Sequence, residues 1–202
     1  MKTIDLSGSQ RLRVFSPILK RCGFTLIELL VTLSIAGILL TIAVPSFIDF
    51  IRNSRMASQA NELVLALTYA KSEAVKRNLT VAVQKNADTV TACSGTSTGW
   101  SNGWTVFIDS DADGVVDVTE EVLQVWPALT GGNTLCFNNG SWVRYRNTGA
   151  TASLGTFRFC DARGAVEARG VVVSAQGRVR RATDSNSDSI EEDGSGNNLT
   201  CP

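Results

Sequence analysis

The chain has 202 residues, a formal net charge of zero, 44% apolar residues and no histidine. That length holds one modest domain beside a membrane or processing segment. Without an imidazole there is no ordinary general base and no usual zinc ligand, so acid–base catalysis and histidine-bound metal are disfavoured.

The zero balance conceals charged blocks. Residues 1–23 carry Lys2, Arg11, Arg13, Lys20 and Arg21 against Asp5 alone. From Leu29 to Ile48 there is no charge at all, a run of twenty residues. As a helix rising about 1.5 Å per residue, the run spans roughly 30 Å, a bilayer core. With Lys20 and Arg21 before it, the positive-inside rule predicts a cytoplasmic N-terminus and a single pass. A secretory signal would be shorter, with its small-residue cleavage site after the apolar run. Here Gly23 and the basic pair come first, so cleavage is expected to remove a leader and keep the helix. Glu28 sits near the start of the run, where an unpaired ionised carboxylate is costly. It persists where a partner supplies the opposite charge. Snorkelling to the interface or recognition by a peptidase are the alternatives.

Pro45 lacks an N–H and is expected to kink or melt the helix. Beyond it Phe47, Phe50, Ile51, Met56, Leu63, Leu67, Ala70 and Ala74 recur mostly at three- and four-residue steps, predicting an amphipathic helix that stops at Asn78. Short alternating runs follow: TVAVQ, TVTAC, WTVFI, EEVLQVW, TLCF, WVRYR, TFRFC, GAVEARGVVVS and GRVR. Glycines mark the joints between them, so hairpins and an antiparallel β domain are expected. The fold class is therefore α+β. The tail from Asp184 to Asn198 is rich in Ser, Asn, Asp and Gly and reads as a mobile loop. Cys93, Cys136, Cys160 and Cys201 lie beyond the apolar run and suggest two disulfides outside the cytoplasm. Of three connectivities, Cys93–Cys136 with Cys160–Cys201 is favoured; four free buried thiols are the alternative.

Two motifs carry candidate chemistry. DSDADGVVDVTE, Asp109 to Glu120, places Asp109, Asp111, Asp113, Gly114 and Glu120 at ligand or turn positions of a calcium loop. Its flanks read as strands, not helices, so the favoured reading is an acidic hairpin tip with no metal. GRVR, Gly177 to Arg180, followed by Arg181, is expected to lift Arg178 and Arg180 to one face of a strand with Val179 inward. Guanidinium groups about 7 Å apart match successive phosphates of a DNA strand. Arg144 and Arg146 of WVRYR extend the patch; a solvated basic sheet edge is the alternative. The acids of the tail, within a Debye length of about 8 Å, are expected to offset the patch. DNA affinity would then be weak, steeply salt-dependent and raised by neutralising residues 184–193.

GFTLIELLVTLSIAGILLTIAVP, from Gly23, resembles the start of type IV pilins and pseudopilins. The resemblance implies cleavage by a prepilin peptidase between Gly23 and Phe24, N-methylation of Phe24, and a role for Glu28 in assembly with other pilins or pseudopilins. It implies a pilin-like fold, a long N-terminal helix whose first half is transmembrane, packed on a C-terminal antiparallel sheet domain. The segments are then a leader at 1–23, a membrane or filament-core half-helix at 24–50, an amphipathic half-helix at 51–78 and a β domain at 79–202 ending in the acidic loop 182–202. WTVFID, the Gly-Arg-x-Arg motif and the terminal Cys-Pro are similar to the FimT/GspH group. For its FimT-type members the motif implies binding of double-stranded DNA, without sequence preference, at Gly177, Arg178 and Arg180 during natural transformation. Arg181, Arg144 and Arg146 rest on charge and spacing alone. A non-enzymatic minor pilin of the bacterial inner membrane, with a periplasmic domain that reaches the pilus or cell surface, is the expected function. No cofactor is expected. A minor pseudopilin of type II secretion, without DNA binding, and a surface adhesin are the other readings.

Overall fold

The computed structural model describes residues 23–87, 93 and 97–202. Helix α1 runs Leu26–Arg77. Thr25 caps it: its Oγ1 accepts from the Glu28 N–H at 3.2 Å and its carbonyl from the Leu29 N–H at 3.1 Å. Thr-x-x-Glu is the spacing of a capping box. At the other end Asn78 adopts φ +58°, and the Leu79 N–H donates back to the Ala74 carbonyl at 3.2 Å. That left-handed residue is a common way to stop a helix. The expected melting at Pro45 does not occur, since α1 is helical through it. A missing N–H removes one i→i−4 bond, and the flanking turns keep theirs.

The chain divides into two compact units, residues 1–45 and 46–202. In the first, every described residue is exposed, including Phe24, Leu33 and Ile38. In the second unit α1 buries Met56, Gln59, Ala60, Leu63, Ala66, Leu67, Ala70, Glu73 and Ala74, a stripe of three- and four-residue steps. Phe47, Phe50 and Ile51, expected in that stripe, are exposed. The stripe begins at Met56, because the sheets reach no further along the helix. Its alanines keep the contact side of the helix thin, so strands approach closely.

Among the described residues nine strands follow: β1 Val81–Lys85, β2 Thr98–Gly99, β3 Trp104–Ile108, β4 Val122–Trp126, β5 Thr134–Phe137, β6 Trp142–Tyr145, β7 Gly155–Cys160, β8 Arg169–Val173 and β9 Val179–Arg181. They form two antiparallel sheets, ordered β4-β3-β1-β6 and β2-β5-β7-β8-β9. The helical stripe joins one core with Val81, Val83, Val106, Val143 and Tyr145 of the first sheet and Leu135, Phe137, Phe157, Phe159, Val171 and Val173 of the second. The period-two alternation is plain in β7, where Phe157 and Phe159 face this core. Trp100 closes it edge-on against Phe157, ring centroids 4.9 Å apart, and donates from Nε1 to the Gly140 carbonyl at 3.2 Å. Disulfides join Cys93 to Cys136 and Cys160 to Cys201.

Three strand expectations need adjustment. TVTAC lies outside the described residues except for Cys93. GAVEARGVVVS is not one strand: Ala165–Glu167 is a 3₁₀ turn ahead of β8. Asp161 folds the chain over by accepting from the Arg163 N–H at 2.9 Å, and Gly164 at φ +85° completes the reversal. GRVR enters its strand only at Val179, because Gly177 and Arg178 form the end of the preceding turn.

Candidate functional site

The basic motif is a tight hairpin between β8 and β9. The Gly177 N–H donates to the Ser174 carbonyl at 2.8 Å, and the Ser174 N–H to the Arg178 carbonyl at 3.0 Å. Ser174 Oγ also accepts from the Arg178 N–H at 3.3 Å. Gly177 has φ +67°, and a Cβ there would strike the Gly149 carbonyl and lie 3.0 Å from the Tyr145 ring. Glycine is thus required twice, by conformation and by close approach. Val179 leans on the core while Arg178, Arg180 and Arg181 are exposed. Arg178 and Arg180 line one shallow depression with Val172, Ser174 and Gln176. Among the described residues no ion pair involves Arg146, Arg178, Arg180 or Arg181.

The loop after β6 braces this hairpin. The Thr151 N–H donates to the Ala175 carbonyl at 3.0 Å, so the β6 edge of the first sheet adjoins the β9 edge of the second. Lys71 of α1 passes under Gly149 and donates from Nζ to the Gln176 carbonyl at 3.0 Å. The sequence reading left Lys71 off the buried stripe and missed it. Its contact depends on the fold bringing residues 105 apart in sequence together.

Arg144, unlike the hairpin arginines, is paired with an acid within the chain. Its Nη1 lies 3.6 Å from Asp109 Oδ2 and donates to the Ala112 carbonyl, and its guanidinium covers the Trp142 ring at 4.8 Å. The cause is strand order: β3 and β6 flank β1, so the end of β3 and Arg144 meet across it. Arg146 stays exposed beside them.

The acidic loop between β3 and β4 gathers one carboxylate oxygen each from Asp109, Asp111 and Glu120 within 4.8 Å of one another. Asp113 is not among them; its Oδ1 accepts from the Val115 N–H at 2.7 Å. Burial pushes the Asp109 carboxyl up, against the Gly114 N–H and Arg144, which lower it. Strands flank the loop, as the hairpin reading requires.

The C-terminal tail is a hydrogen-bonded strap, not a loose loop. Asp184 accepts from the N–H groups of Ser187 and Ser189, and buried Glu192 from those of Ser185 and Asn186. Glu191 accepts from the Gly170 N–H at 2.8 Å and from Arg169 at 3.1 Å. Gly194 donates to Thr156 Oγ1 at 2.9 Å, and Arg158 to the Thr200 carbonyl at 3.0 Å. Leu199, Cys160 and Ala168 form a small core of their own. These carboxylates satisfy backbone donors. Neutralising residues 184–193 would therefore unpick the strap as well as remove charge.

Against this geometry, the profile of the family described as "Type II transport protein GspH" matches residues 59–177, more than half of the chain. The chain belongs to the GspH family. The "Prokaryotic N-terminal methylation motif" also matches, at residues 18–44. The GspH match spans the amphipathic stripe, the acidic hairpin and the basic hairpin up to Gly177; the methylation motif takes in Gly23, Phe24 and Glu28. The "Pilin-like protein PilA1" of Thermus thermophilus is 29% identical over 177 residues, covering 79% of this chain and 97% of that protein. Two crystal forms of the type IV minor pilin FimU of Pseudomonas aeruginosa share the fold at 21% identity. Their TM-scores are 0.51 and 0.50, covering 63% and 65% of this chain and 92% and 90% of theirs. This GspH-family chain has a pilin-like fold, shared with the type IV minor pilin FimU. Its N-terminal helix is long and apolar enough to cross a membrane. At the start of that helix Thr25 is the capping residue, its Oγ1 accepting from the Glu28 N–H. The signal, Thr-x-x-Glu, was in the sequence.

Proposed function

We propose that this subunit is a minor type IV pilin that presents Arg178 and Arg180 to extracellular DNA for uptake in natural transformation. One observation supports it most. A glycine-braced hairpin holds both arginines exposed in one depression, and neither is engaged by an acid. Exposed guanidinium groups with no acid partner among the described residues suit phosphate, which they bind bidentately. Arg181 and Arg146 add charge at the adjoining sheet edges, and Lys71 steadies the turn. Contacts to phosphate carry no sequence information, so binding is to double-stranded DNA without sequence preference.

In this reading the prepilin is inserted once in the inner membrane with its N-terminus cytoplasmic. A prepilin peptidase cuts after Gly23, removes the leader 1–23 and methylates Phe24. Residues 24–50 enter the filament core, where Glu28 meets the Phe24 amine of a neighbouring subunit. Residues 51–78 carry the β domain, 79–202, to the periplasm and then to the pilus or cell surface.

The second reading is a type II secretion pseudopilin. It is favoured by the family match and by the acidic strap, whose exposed face suits protein contacts. Binding of the full chain in detergent to double-stranded DNA across a salt series separates the two. The first requires affinity that falls steeply with salt. Loss of transformation, with secretion intact, on deleting the gene would support it; the opposite phenotype supports the second.

A further inference from the structure

We propose that the loop joining β3 to β4 is a binding site for calcium. Its ligand types stand in order. Asp109, Asp111, Asp113, Gly114, Asp117 and Glu120 occupy the first, third, fifth, sixth, ninth and twelfth places of a twelve-residue calcium loop. The fold brings oxygens of Asp109, Asp111 and Glu120 within 4.8 Å of one another. Ligands held at about 2.3–2.6 Å from one ion lie no more than about 5 Å apart across it, so the spacing fits a single calcium. A second, independent observation points to a cation ligand. Asp109 is only 1% exposed, and its Oδ2 accepts no hydrogen bond among the described residues. The one cation facing that oxygen, Arg144 Nη1, stands at 3.6 Å, an ion-pair distance beyond hydrogen bonding. A buried carboxylate oxygen in that state is under-coordinated. Asp111 is exposed and opens the site to solvent, giving the ion an entry path. Calcium bound here takes over Asp109 Oδ2 and competes with Arg144 for it.

The test uses the full chain in detergent, stripped with chelator and titrated with calcium chloride. Calorimetry is expected to give a dissociation constant of about 10⁻⁴ to 10⁻³ M, the range of extracellular calcium modules, with a saturable rise in unfolding temperature. Magnesium, which demands tighter octahedral geometry, should give much less. Asp111→Asn and Glu120→Gln are each expected to weaken calcium at least about tenfold while the calcium-free unfolding temperature holds. Arg144→Gln should tighten it. Trp142 supplies a local probe, because a Cβ on Gly114 would lie only 2.6 Å from its ring. Terbium in the loop should luminesce on indole excitation, lose that signal to calcium, and be dark in Trp142→Phe. The proposal is overturned by absence of calcium-dependent heat and stabilisation, by unchanged affinity in both carboxylate variants, or by terbium luminescence that survives Trp142→Phe.

Discussion

The acidic and basic stretches of the β domain are of similar charge density but are used in opposite ways. In the strap, Asp184, Glu191, Glu192 and Asp193 accept from backbone N–H groups of their own segment or of β8. In the β8–β9 hairpin, Arg178, Arg180 and Arg181 are held outward by the backbone, and no acid engages them. Elsewhere the arginines follow the acids' habit: Arg144, Arg163 and Arg169 are paired with Asp109, Asp161 and Glu191. Carboxylates can satisfy orphan N–H groups and so build local structure. Guanidinium has only donors, so an exposed arginine without a carboxylate partner remains available to an outside anion. Charge counted along the sequence does not show that difference; partners do.

The largest test separates the strap from the hairpin. Cys160→Ser with Cys201→Ser opens a cross-link between residues 41 apart and frees the end of the strap. A loss of about 3–4 kcal/mol in unfolding free energy is expected, from lost chain constraint. Denaturant melts of the oxidised wild type and the double variant measure it. If the strap only adds stability, DNA affinity at moderate temperature should be unchanged; a rise would show that it also screens the arginines.

Next in size is Gly177→Val. A β-branched residue at φ +67°, driven against the Gly149 carbonyl, should lose about 2–3 kcal/mol and displace Arg178. Here stability and DNA binding should fall together. Retained binding in a folded Gly177→Val chain would mean that the hairpin's shape does not matter to the arginines, and the contrast drawn above would fail.

Much of this was readable in advance, and the division follows the range of the interaction. Trp104–Ile108 and Thr134–Phe137 are strands with the bounds their alternation indicates, and Asn78 stops the helix where the pattern ends. Those are short-range effects. The point at which burial begins, Met56, was not readable, since Phe47, Phe50 and Ile51 repeat the same spacing; only the extent of the sheets decides it. Gln59 hid in the stripe because its partners, the Thr130 carbonyl at 3.1 Å and Asn133 at 2.6 Å, come from a loop more than seventy residues later. Arg144 and Arg178 look alike in sequence. Strand order delivers one to Asp109 and leaves the other at an open edge.

Arg178→Gln with Arg180→Gln should change stability little, since surface substitutions fall within about 0.5 kcal/mol. Binding should change instead. Each phosphate contact removed lowers the slope of log K against log salt by about 0.9, so losing both should flatten it by roughly 2. Arg144→Gln, by contrast, should leave that slope unchanged, because its guanidinium is already engaged within the chain. A filter-binding series over several salt concentrations gives all three slopes. Equal slopes for the wild type and the hairpin variant would remove the arginines from the DNA site.

The smallest effect tests an engaged pair. Burial alone would raise the Asp161 carboxyl, but hydrogen bonds and charge from Arg163, with Arg52, outweigh it and hold the carboxyl below its ordinary range. A folded-state value below the unfolded one stabilises the fold above the ordinary carboxylate range, and that stabilisation is lost as pH falls through the depressed value. Asp161→Asn should therefore cost up to about 1 kcal/mol near pH 7, with the gap to wild type closing below about pH 4. Urea melts of both proteins at the two acidities measure the gap. A gap that persisted in acid would show that the ion pair with Arg163 is not its source. In Arg178 and Arg180, which have no such partner, no comparable acid dependence of stability should arise.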